Sequence, residues 1–214
     1  MKFMRELLNQ HILNSKFPCI MAKTVLKKGH ISYNELNNLT ENDETSVIIK
    51  RLYDFVDDYR ANPEKLRSFI LTLDDPAYAN FENFEAVFWK FLKDLNAEDK
   101  KQYQHDPRVS SDPNSSDFSF SLKGEAFFIL VLHPQSPRLA RKFVKPTIVF
   151  NLHQQFEDLR NKGLFKKIRN VIRQRDRLLQ GFINPMLADF GEKSEVFQYL
   201  GRKYELSAPC PLTL

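Results

Sequence analysis

Residues 118–132, FSFSLKGEAFFILVL, predict two β-strands joined by a tight turn, and this stretch decides the fold class. Phe118–Leu122 alternates apolar and polar residues, which is the period of a strand with one buried face. Lys123-Gly124 supplies a two-residue turn, and Ala126–Leu132 is a continuous apolar run of strand length. The hairpin therefore predicts a sheet that is mainly antiparallel.

Amphipathic helices flank this hairpin on both sides. Apolar residues recur at intervals of three and four, and Pro or Gly ends several of the segments. The predicted helices are Lys2–Leu13, a segment from Thr45 to Asn62-Pro63, Glu82–Leu95, Leu152–Asn161 and Leu164–Gln180. Ser68–Leu73 and Thr147–Phe150 predict two more short strands. Together these elements predict a single α+β domain over residues 1–214, with a small sheet of three to five strands packed against the helices.

The last predicted helix, Leu164–Gln180, carries two patterns. Arg169, Arg173 and Arg177 recur every four residues on one face. We favour a solvated helix face for them, and binding of nucleic acid or of anionic carboxylates is the alternative. An apolar stripe predicts the buried side of the helix, formed by Leu164, Ile168, Val171, Ile172, Leu178 and Leu179.

The composition is that of an ordinary globular protein. Hydrophobic residues make up 42% and charged residues 28% of the 214 residues, which excludes disordered and fibrous classes. No apolar run reaches the roughly 18 residues of a membrane span. The amphipathic N-terminus with Glu6 is unlike a secretory signal. Two cysteines, Cys19 and Cys210, are too few for a disulfide scaffold, so we expect a cytoplasmic protein.

The net charge of +5 is unevenly distributed. Residues up to Leu122 carry 16 Lys and Arg against 19 Asp and Glu, whereas residues from Lys123 onward carry 16 against 8. A basic half suits nucleic acid, an anionic cofactor or one cationic helix face. The 19 phenylalanines predict a large apolar interior, which is either plain core or a pocket for a flat ligand.

Few residues carry recognisable chemistry. The sequence has no phosphate-binding glycine loop, no paired-cysteine zinc motif and no nucleophile elbow. His133 ends the run AFFILVL and precedes Pro134, and His153 follows the strand TIVF. Each position suits an axial metal ligand, although a hydrogen-bonded structural histidine is the favoured interpretation of each taken alone. Cys19 can likewise supply a thiolate or be an inert buried thiol.

Charged residues accompany both histidines. Arg138 and Arg141 follow His133 and can neutralise two carboxylates, or form a solvated basic turn. Arg160 follows His153 on the same predicted helix.

Acidic residues stand out in the C-terminal part of the chain. Asp189 and Glu192 flank the turn at Gly191. Acids placed in this way can bind a guanidinium, which prefers bidentate carboxylates. They can equally cap a short helix at Ser194–Tyr199.

Ordered sequence blocks identify a family. The blocks are HDPRVSSDP (105–113), FSFSLKGEAFFILVLHPQSPRLARKF (118–143), PTIVFNLHQQFEDLR (146–160), IRQRD (172–176), LLQGFINPMLADFGEKSE (178–195) and QYLGR (198–202), with FPCIMA (17–22) and PCP (209–211) near the ends. They resemble the YqcI/YcgG family, known as heme-dependent enzymes that N-hydroxylate guanidine groups. The resemblance is tight in the motif-rich part, residues 105–211, and loose in the helical part, residues 23–100.

This resemblance implies a monooxygenase that adds oxygen to a guanidine nitrogen of free arginine or a related guanidino compound. The implied cofactor is heme b, iron protoporphyrin IX, with molecular oxygen as co-substrate. Electrons are expected from a separate reductase or ferredoxin-type donor, because the sequence has no flavin or nicotinamide loop. A non-catalytic heme carrier or sensor is the alternative, and a nucleic-acid-binding protein is less favoured. No membrane partner is expected, and a homodimer is left open.

The resemblance also implies site residues. His133 and His153 fall on matching histidines and Cys19 on a matching cysteine. His133 is the preferred axial ligand, because Arg138 and Arg141 are close in sequence and can bind heme propionates. Acids that can hold the guanidinium are Glu125, Asp189, Glu192 and Glu195.

Two residues depart from the family pattern. Pro137 stands where the family usually has serine, and Leu200 stands in place of a hydroxyl side chain. We expect heme binding to survive both changes, whereas the identity of the substrate as a guanidine is the part that they put in doubt.

Overall fold

The computed structural model describes residues 2–39, 42–205 and 207–214, and the side chains of all of these except 42–44. The described residues form six α-helices and five β-strands. The helices are α1 Lys2–Leu13, α2 Ile20–Lys27, α3 Asn42–Ala61, α4 Phe81–Asp99, α5 Gln154–Asn161 and α6 Phe165–Gln180. The strands are β1 Ile31–Leu36, β2 Ser68–Leu73, β3 Phe120–Leu122, β4 Glu125–Leu132 and β5 Thr147–Leu152. The predicted α+β class is confirmed.

The five strands form one mixed sheet in the order β1-β2-β5-β4-β3. β1 and β2 run parallel, and the other neighbouring pairs are antiparallel. The predicted hairpin is present as β3 and β4, with Phe120 opposite Phe127. Its turn residues Lys123 and Gly124 have φ angles of 53° and 71°. Positive φ at both positions is what a two-residue hairpin turn with the twist of the sheet requires.

Side-chain alternation gives the sheet two different faces. In β2, Phe69, Leu71 and Leu73 point to the first face, whereas Ile70 points to the second. The first face packs against α3 and α4 and forms the main core. Besides leucines, this core contains nine buried phenylalanines among the described residues, namely Phe55, Phe69, Phe84, Phe88, Phe91, Phe118, Phe120, Phe127 and Phe150. Much of the aromatic content therefore serves ordinary packing.

The second face is covered more thinly. Leu8 and Ile12 of α1 pack there against Ile70 and Val149. Residues of α2, α5 and α6 cover the remainder, and cavities lie between them and the sheet. None of the helices in the described part of the chain has both the length and the apolar character needed to cross a bilayer.

Helix α6 does not pack against the sheet as a core helix does. Among its residues only Asp176 is buried. The predicted burial of its apolar stripe is wrong at both ends, because Leu178 is 81% exposed and Leu164 is 45% exposed. Ile168 and Ile172, in the middle of the stripe, face a cavity. The helix therefore closes a space above the sheet instead of filling it.

Sequence patterns did not indicate two of the elements, α2 and β1. Cys19 precedes α2 and caps it, since its Sγ accepts a hydrogen bond from Ala22 N at 3.4 Å. Strand β1 contains Asn34, which is buried and accepts a hydrogen bond from Arg51 of α3 at 3.3 Å. Because a polar side chain is buried there through a partner distant in sequence, the period-two pattern of β1 is obscured.

Candidate functional site

A cavity of about 210 Å³ lies between the second face of the sheet, α5, α6 and the C-terminal tail, residues 181–205. Its walls are mostly apolar, with a few charged side chains among them, as is typical of cofactor and small-molecule sites. The apolar wall residues are Met21, Phe128, Phe156, Leu159, Phe165, Ile168, Ile172, Leu187, Ala188 and Phe190. The polar wall residues are His153, Arg160, Arg169, Arg173, Asp189, Lys193, Glu195 and Gln198.

His153 lies between β5 and α5 and lines this cavity. Its backbone N–H donates to Ala126 O at 2.8 Å, which ties the junction to β4. The side chain is 9% exposed, and Nε2 lies 3.2 Å from Glu157 Oε1. The ring centroid lies 4.5 Å from that of Phe190. Burial lowers the pKa of His153 although Glu157 opposes this, so the neutral ring predominates at pH 7 and retains a lone pair for a metal ion.

Arg160 brings a positive charge to the cavity wall beside His153. It pairs with Glu157, the same carboxylate that contacts the histidine. Its guanidinium carbon lies 4.1 Å from the ring centroid of Phe165. The structure thus brings Arg160 and His153 together, through one carboxylate.

Asp189 is the centre of a second charged cluster on the wall of the same cavity. Arg169 donates to its Oδ2, and Arg173 NH2 donates to its Oδ1 at 3.0 Å. The favoured interpretation of the arginine stripe as a solvated face is therefore wrong for these two residues, and only Arg177 is exposed. The Nε of Arg169 is buried and has no hydrogen-bond partner among the described residues. An unpartnered buried donor is costly, and this one is closed off from the cavity as the side chain stands.

Glu195 is a buried carboxyl on the wall of the same cavity. Ser119 Oγ and Tyr199 OH both donate to its Oε1, at 2.9 and 2.6 Å. Burial raises the pKa of Glu195 to about 8, although these two bonds oppose the shift. The protonated form therefore predominates at pH 7. Both bonds fall on one oxygen, so Oε2 remains for a group in the cavity.

A second cavity, about 220 Å³, adjoins the first. Met21, Phe128, Phe156 and Leu159 line both of them. The other walls of the second cavity come mainly from α1, α2 and the sheet, and most of them are apolar, with Arg67, Ser68, Asn151 and Gln155 as the polar exceptions. The two cavities thus form adjoining apolar spaces over the second face of the sheet.

Cys19 lies on the wall of the second cavity. Its Sγ caps α2, as described above, and burial raises the pKa of the thiol. The residue is therefore a neutral thiol with a structural contact, which disfavours a thiolate in the protein alone.

His133 lies apart from both cavities. Its fully buried ring packs against Phe81 and Phe84, with centroid distances of 4.9 and 5.3 Å. Its Nδ1 accepts a hydrogen bond from Gln135 N at 3.0 Å, and its Nε2 lies 2.7 Å from Tyr78 O. Both ring nitrogens are therefore occupied by the backbone. This placement gives His133 a structural role and removes the reason for preferring it as the axial ligand.

Arg138 and Arg141 bind other parts of the protein instead of facing a cavity. Arg138 NH2 donates to Asp176 Oδ2 at 2.5 Å, and both side chains are largely buried. Arg141 NH1 donates to the carbonyl oxygens of Gln198 and Tyr199, at 2.8 and 2.7 Å. Neither guanidinium lies where a carboxylate in the cavity can meet it.

The four predicted acids do not come together. Asp189 and Glu195 line the cavity. Glu192 is exposed, and its Oε2 accepts a hydrogen bond from Asp189 N at 2.9 Å. Glu125 lies outside both cavities and pairs with Arg108 at 2.6 Å. The structure therefore supports two of the four as candidates for contact with a substrate.

A network supporting the surroundings of His153 was missed by the sequence interpretation. Asp106 is 1% exposed and accepts hydrogen bonds from Arg108 and from Ala126 N. Arg108 NH1 also donates at 2.8 Å to Gln154 Oε1, next to His153. Residues 105–117 are rich in Pro, Ser and Asp, and this composition alone allows either a flexible linker or a loop shaped by Arg108 and the two Asp-Pro steps. The structure shows the shaped loop.

The two departures from the family pattern lie outside the walls of both cavities. Leu200 is fully buried in the main core. Pro137 is exposed, and its carbonyl accepts a hydrogen bond from Gln180 Nε2 at 3.2 Å. Neither residue therefore alters a cavity by lining it, contrary to the expectation that these changes affect a substrate pocket.

Within residues 2–39, 42–205 and 207–214, no three His, Cys, Asp or Glu side chains converge as in a metal centre built by protein alone. Heme iron needs only one or two protein ligands. Among the wall residues, His153 could ligate an iron ion, the apolar side chains could pack on a flat apolar group, and the guanidinium of Arg169 could meet a carboxylate.

The YqcI/YcgG family model matches residues 8–213. The uncharacterized protein YcgG of Bacillus subtilis (strain 168) is 27% identical over 207 residues, which cover 92% of this chain and 81% of YcgG. The uncharacterized protein YqcI of the same organism is 24% identical over 191 residues, which cover 85% of this chain and 73% of YqcI. No solved structure matches this chain. The match over nearly the whole length shows that the chain belongs to the YqcI/YcgG family.

Proposed function

We propose that this protein is a heme-dependent oxygenase that N-hydroxylates the guanidine group of arginine or of a related guanidino compound. The observation that carries the proposal is the placement of His153, a nearly buried histidine on the wall of a mostly apolar cavity that also presents arginines and two carboxyl groups. A histidine in such surroundings is a common holder of heme iron. When bound, heme b would supply the iron at which oxygen is activated.

The cavity residues divide into three roles toward heme. His153 is the candidate iron ligand, and Glu157 at 3.2 Å from its Nε2 orients the ring. The apolar walls, including Phe128 and Phe156, exclude water, and the second cavity extends this apolar space. Arg169, on the cavity wall, would pair with a propionate after a side-chain shift that exposes its unpartnered Nε.

Glu195 is the candidate partner of the guanidinium. Its Oε2 is available in the cavity, and Ser119 and Tyr199 hold the side chain through Oε1. A cation beside a buried carboxyl lowers its pKa. A bound guanidinium would therefore draw the proton off Glu195 near neutral pH and pair with the carboxylate that results. Asp189 is the second candidate, although Arg169 and Arg173 already occupy its oxygens.

The proposal is tested first by hemin titration of the purified protein, followed by its absorption spectrum. We expect a protein-bound Soret band that is lost or shifted in His153→Ala. His30→Ala is the matched control, since His30 lines neither cavity and its Nδ1 lies 3.1 Å from Leu66 O, a backbone atom. Circular dichroism shows whether each variant is folded. An unchanged bound spectrum in folded His153→Ala would overturn the assignment of the ligand.

Turnover is the second test. The hemin-loaded protein, supplied with a reductase system and oxygen, should convert arginine or a related guanidino compound into an N-hydroxylated product detected by mass spectrometry. Glu195→Gln should retain hemin and lose turnover, because the amide carries no charge for the guanidinium. Normal turnover in that variant would remove Glu195 from the site.

A non-catalytic heme-binding protein is the second candidate function. The pairing of Asp189 with both Arg169 and Arg173 favours it, since a carboxylate engaged in this way is less available to a substrate. Hemin binding without turnover of any guanidino compound would support this alternative. Nucleic-acid binding loses much of its basis, because two of the three stripe arginines pair with Asp189.

A further inference from the structure

The outer side of α6 is exposed and positively charged. Its exposed residues recur at helical spacing and are Lys166, Lys167, Asn170, Gln174, Arg177 and Leu178. Lys162, at the end of α5, is exposed next to them in sequence. We call Lys162, Lys166, Lys167 and Arg177 the basic face.

Acidic side chains of α5 and α6 do not neutralise the basic face. Glu157 contacts His153 and Arg160, on the cavity side. Asp158 lies one helical turn before Lys162, but in the described structure its side chain bonds to Gln154, at 2.9 Å, and forms no ion pair with that lysine. Asp176 is buried against Arg138. Among the described residues, the four cations of the basic face have no ion-pair partner, so the surface offers its charge to another molecule.

The opposite side of the same helix lines the cavity through Phe165, Ile168 and Ile172. A helix with its side chains is about 10 Å across. A molecule bound at the basic face would therefore lie about one helix diameter from the cavity.

We propose that the basic face docks an acidic one-electron carrier protein, such as an iron–sulfur ferredoxin. This inference rests on the proposed function. Inserting one atom of O₂ into a guanidine N–H bond yields N–OH and reduces the other atom to water, which consumes two electrons and two protons. The carrier supplies one electron at each of two encounters and is itself oxidised. Electrostatic attraction to its acidic surface raises the rate of encounter.

The uncharged surroundings of the basic face favour a protein over a nucleic acid. Leu164 and Leu178 are exposed beside the cations, at 45% and 81%. Aliphatic side chains with a charged rim are typical of protein interfaces. Single-stranded nucleic acids are bound by aromatic side chains that stack on the bases, whereas the exposed uncharged residues of α6 are Asn170, Gln174 and Leu178, and its Phe165 faces the cavity.

The test uses a plant-type ferredoxin and the double variant Lys166→Glu/Lys167→Glu. We expect about tenfold weaker binding of ferredoxin at low salt, measured by calorimetry, because each reversal replaces attraction with repulsion. Lys27→Glu/Lys28→Glu, at the exposed end of α2, makes the same charge change elsewhere and should bind within about twofold of the unaltered protein. Added salt should weaken the unaltered complex and the control alike.

The outcomes separate this proposal from the proposed function. Equal ferredoxin affinity in the two double variants, or no affinity in the unaltered protein, overturns the docking proposal even where hemin binds and turnover proceeds with dithionite. Failure of hemin to bind overturns the proposed oxygenase function. The affinity for ferredoxin can still be measured in that case, because calorimetry does not require bound hemin. Salt-sensitive retention of a single-stranded RNA that the Lys166→Glu/Lys167→Glu variant loses, with no ferredoxin binding, would assign the face to nucleic acid instead.

Discussion

Arg108 and Asp106 form a two-bond ion pair, with Nε 2.8 Å from Oδ1 and NH2 2.7 Å from Oδ2. The same carboxylate accepts a hydrogen bond from Ala126 N at 2.9 Å, and Ala126 O accepts one from His153 N at 2.8 Å. A loop that precedes the hairpin in sequence therefore holds the residue pair that supports His153. Asp106 does not line the cavity. Because it is connected to His153 in this way, a change at Asp106 should affect both the stability of the protein and the cavity.

Asp106→Asn should lower the free energy of unfolding by about 2 kcal/mol, because the amide cannot accept all the bonds that the carboxylate accepts. Burial opposes ionisation, but the hydrogen bonds from Arg108 and the backbone outweigh it and lower the pKa of Asp106. The contribution is therefore present above the unfolded pKa of about 4 and is lost as pH falls through the lowered folded value. Urea unfolding at pH 7 and pH 3 measures both effects. Asp112→Asn, in the same loop but exposed, should behave like the unaltered protein at pH 7.

Glu195→Gln should change the pH dependence of stability. The folded pKa of about 8 lies above the ordinary value of 4.5, so the folded state holds a proton that the unfolded state releases between these pH values. Stability from this group therefore falls as pH rises from about 5 to 8. Glu195→Gln cannot lose stability in this way. Its free energy of unfolding should therefore rise relative to that of the unaltered protein between about pH 5 and pH 8, as urea midpoints measured across this range would show. Parallel curves would contradict the raised pKa, and exposed Glu192→Gln is the control.

Gly201→Ala should be strongly destabilising. Gly201 has φ of 70°, and an added Cβ would lie 2.7 Å from Arg141 Cδ. Two carbonyl bonds hold that arginine, which limits how far it can move. Gly29→Ala is a matched control, with φ of 72° and nothing within 4 Å of the added atom. We expect a loss of about 1 kcal/mol at Gly29 and about 3 kcal/mol at Gly201, from thermal or urea unfolding. Equal losses of unfolding free energy in the two variants would show that Arg141 moves away from the added Cβ at residue 201.

His133→Ala should affect stability and not heme ligation. The change removes a buried ring and leaves Tyr78 O and Gln135 N without their partner, so we expect a loss of about 2–4 kcal/mol. The folded fraction should give the same hemin spectrum as the unaltered protein. Loss of the bound Soret band, in a variant that circular dichroism shows to be folded, would restore His133 as the iron ligand.

Local patterns predicted the elements whose stabilising contacts are local. The alternation of residues 118–132 and the turn at Lys123-Gly124 predicted the hairpin, because pairing, period and turn geometry all lie within one segment. Gly181 correctly marks the end of α6, where its φ is 87°. Strand β1 was not predicted, since its buried Asn34 depends on Arg51 from α3.

The candidate site was predicted in part. His153, Arg160, Asp189 and Glu195 line one cavity, whereas the other predicted ligands and acids lie elsewhere. Chain proximity misled at His133, because Arg138 and Arg141 turn away to bind Asp176 and tail carbonyls. Proximity along the chain does not say which way a side chain points.

The sequence by itself determined the α+β class, the hairpin, most helix positions and the family, because these follow from local periodicity, turn residues and ordered motifs. Only the tertiary structure decided which charged and histidine side chains share a cavity. That choice depends on which face of the sheet a strand residue points to, and on whether a distant group already satisfies its polar atoms. His133 and His153 follow similar strands. Backbone groups hydrogen-bond to both ring nitrogens of His133, whereas His153 lines a cavity.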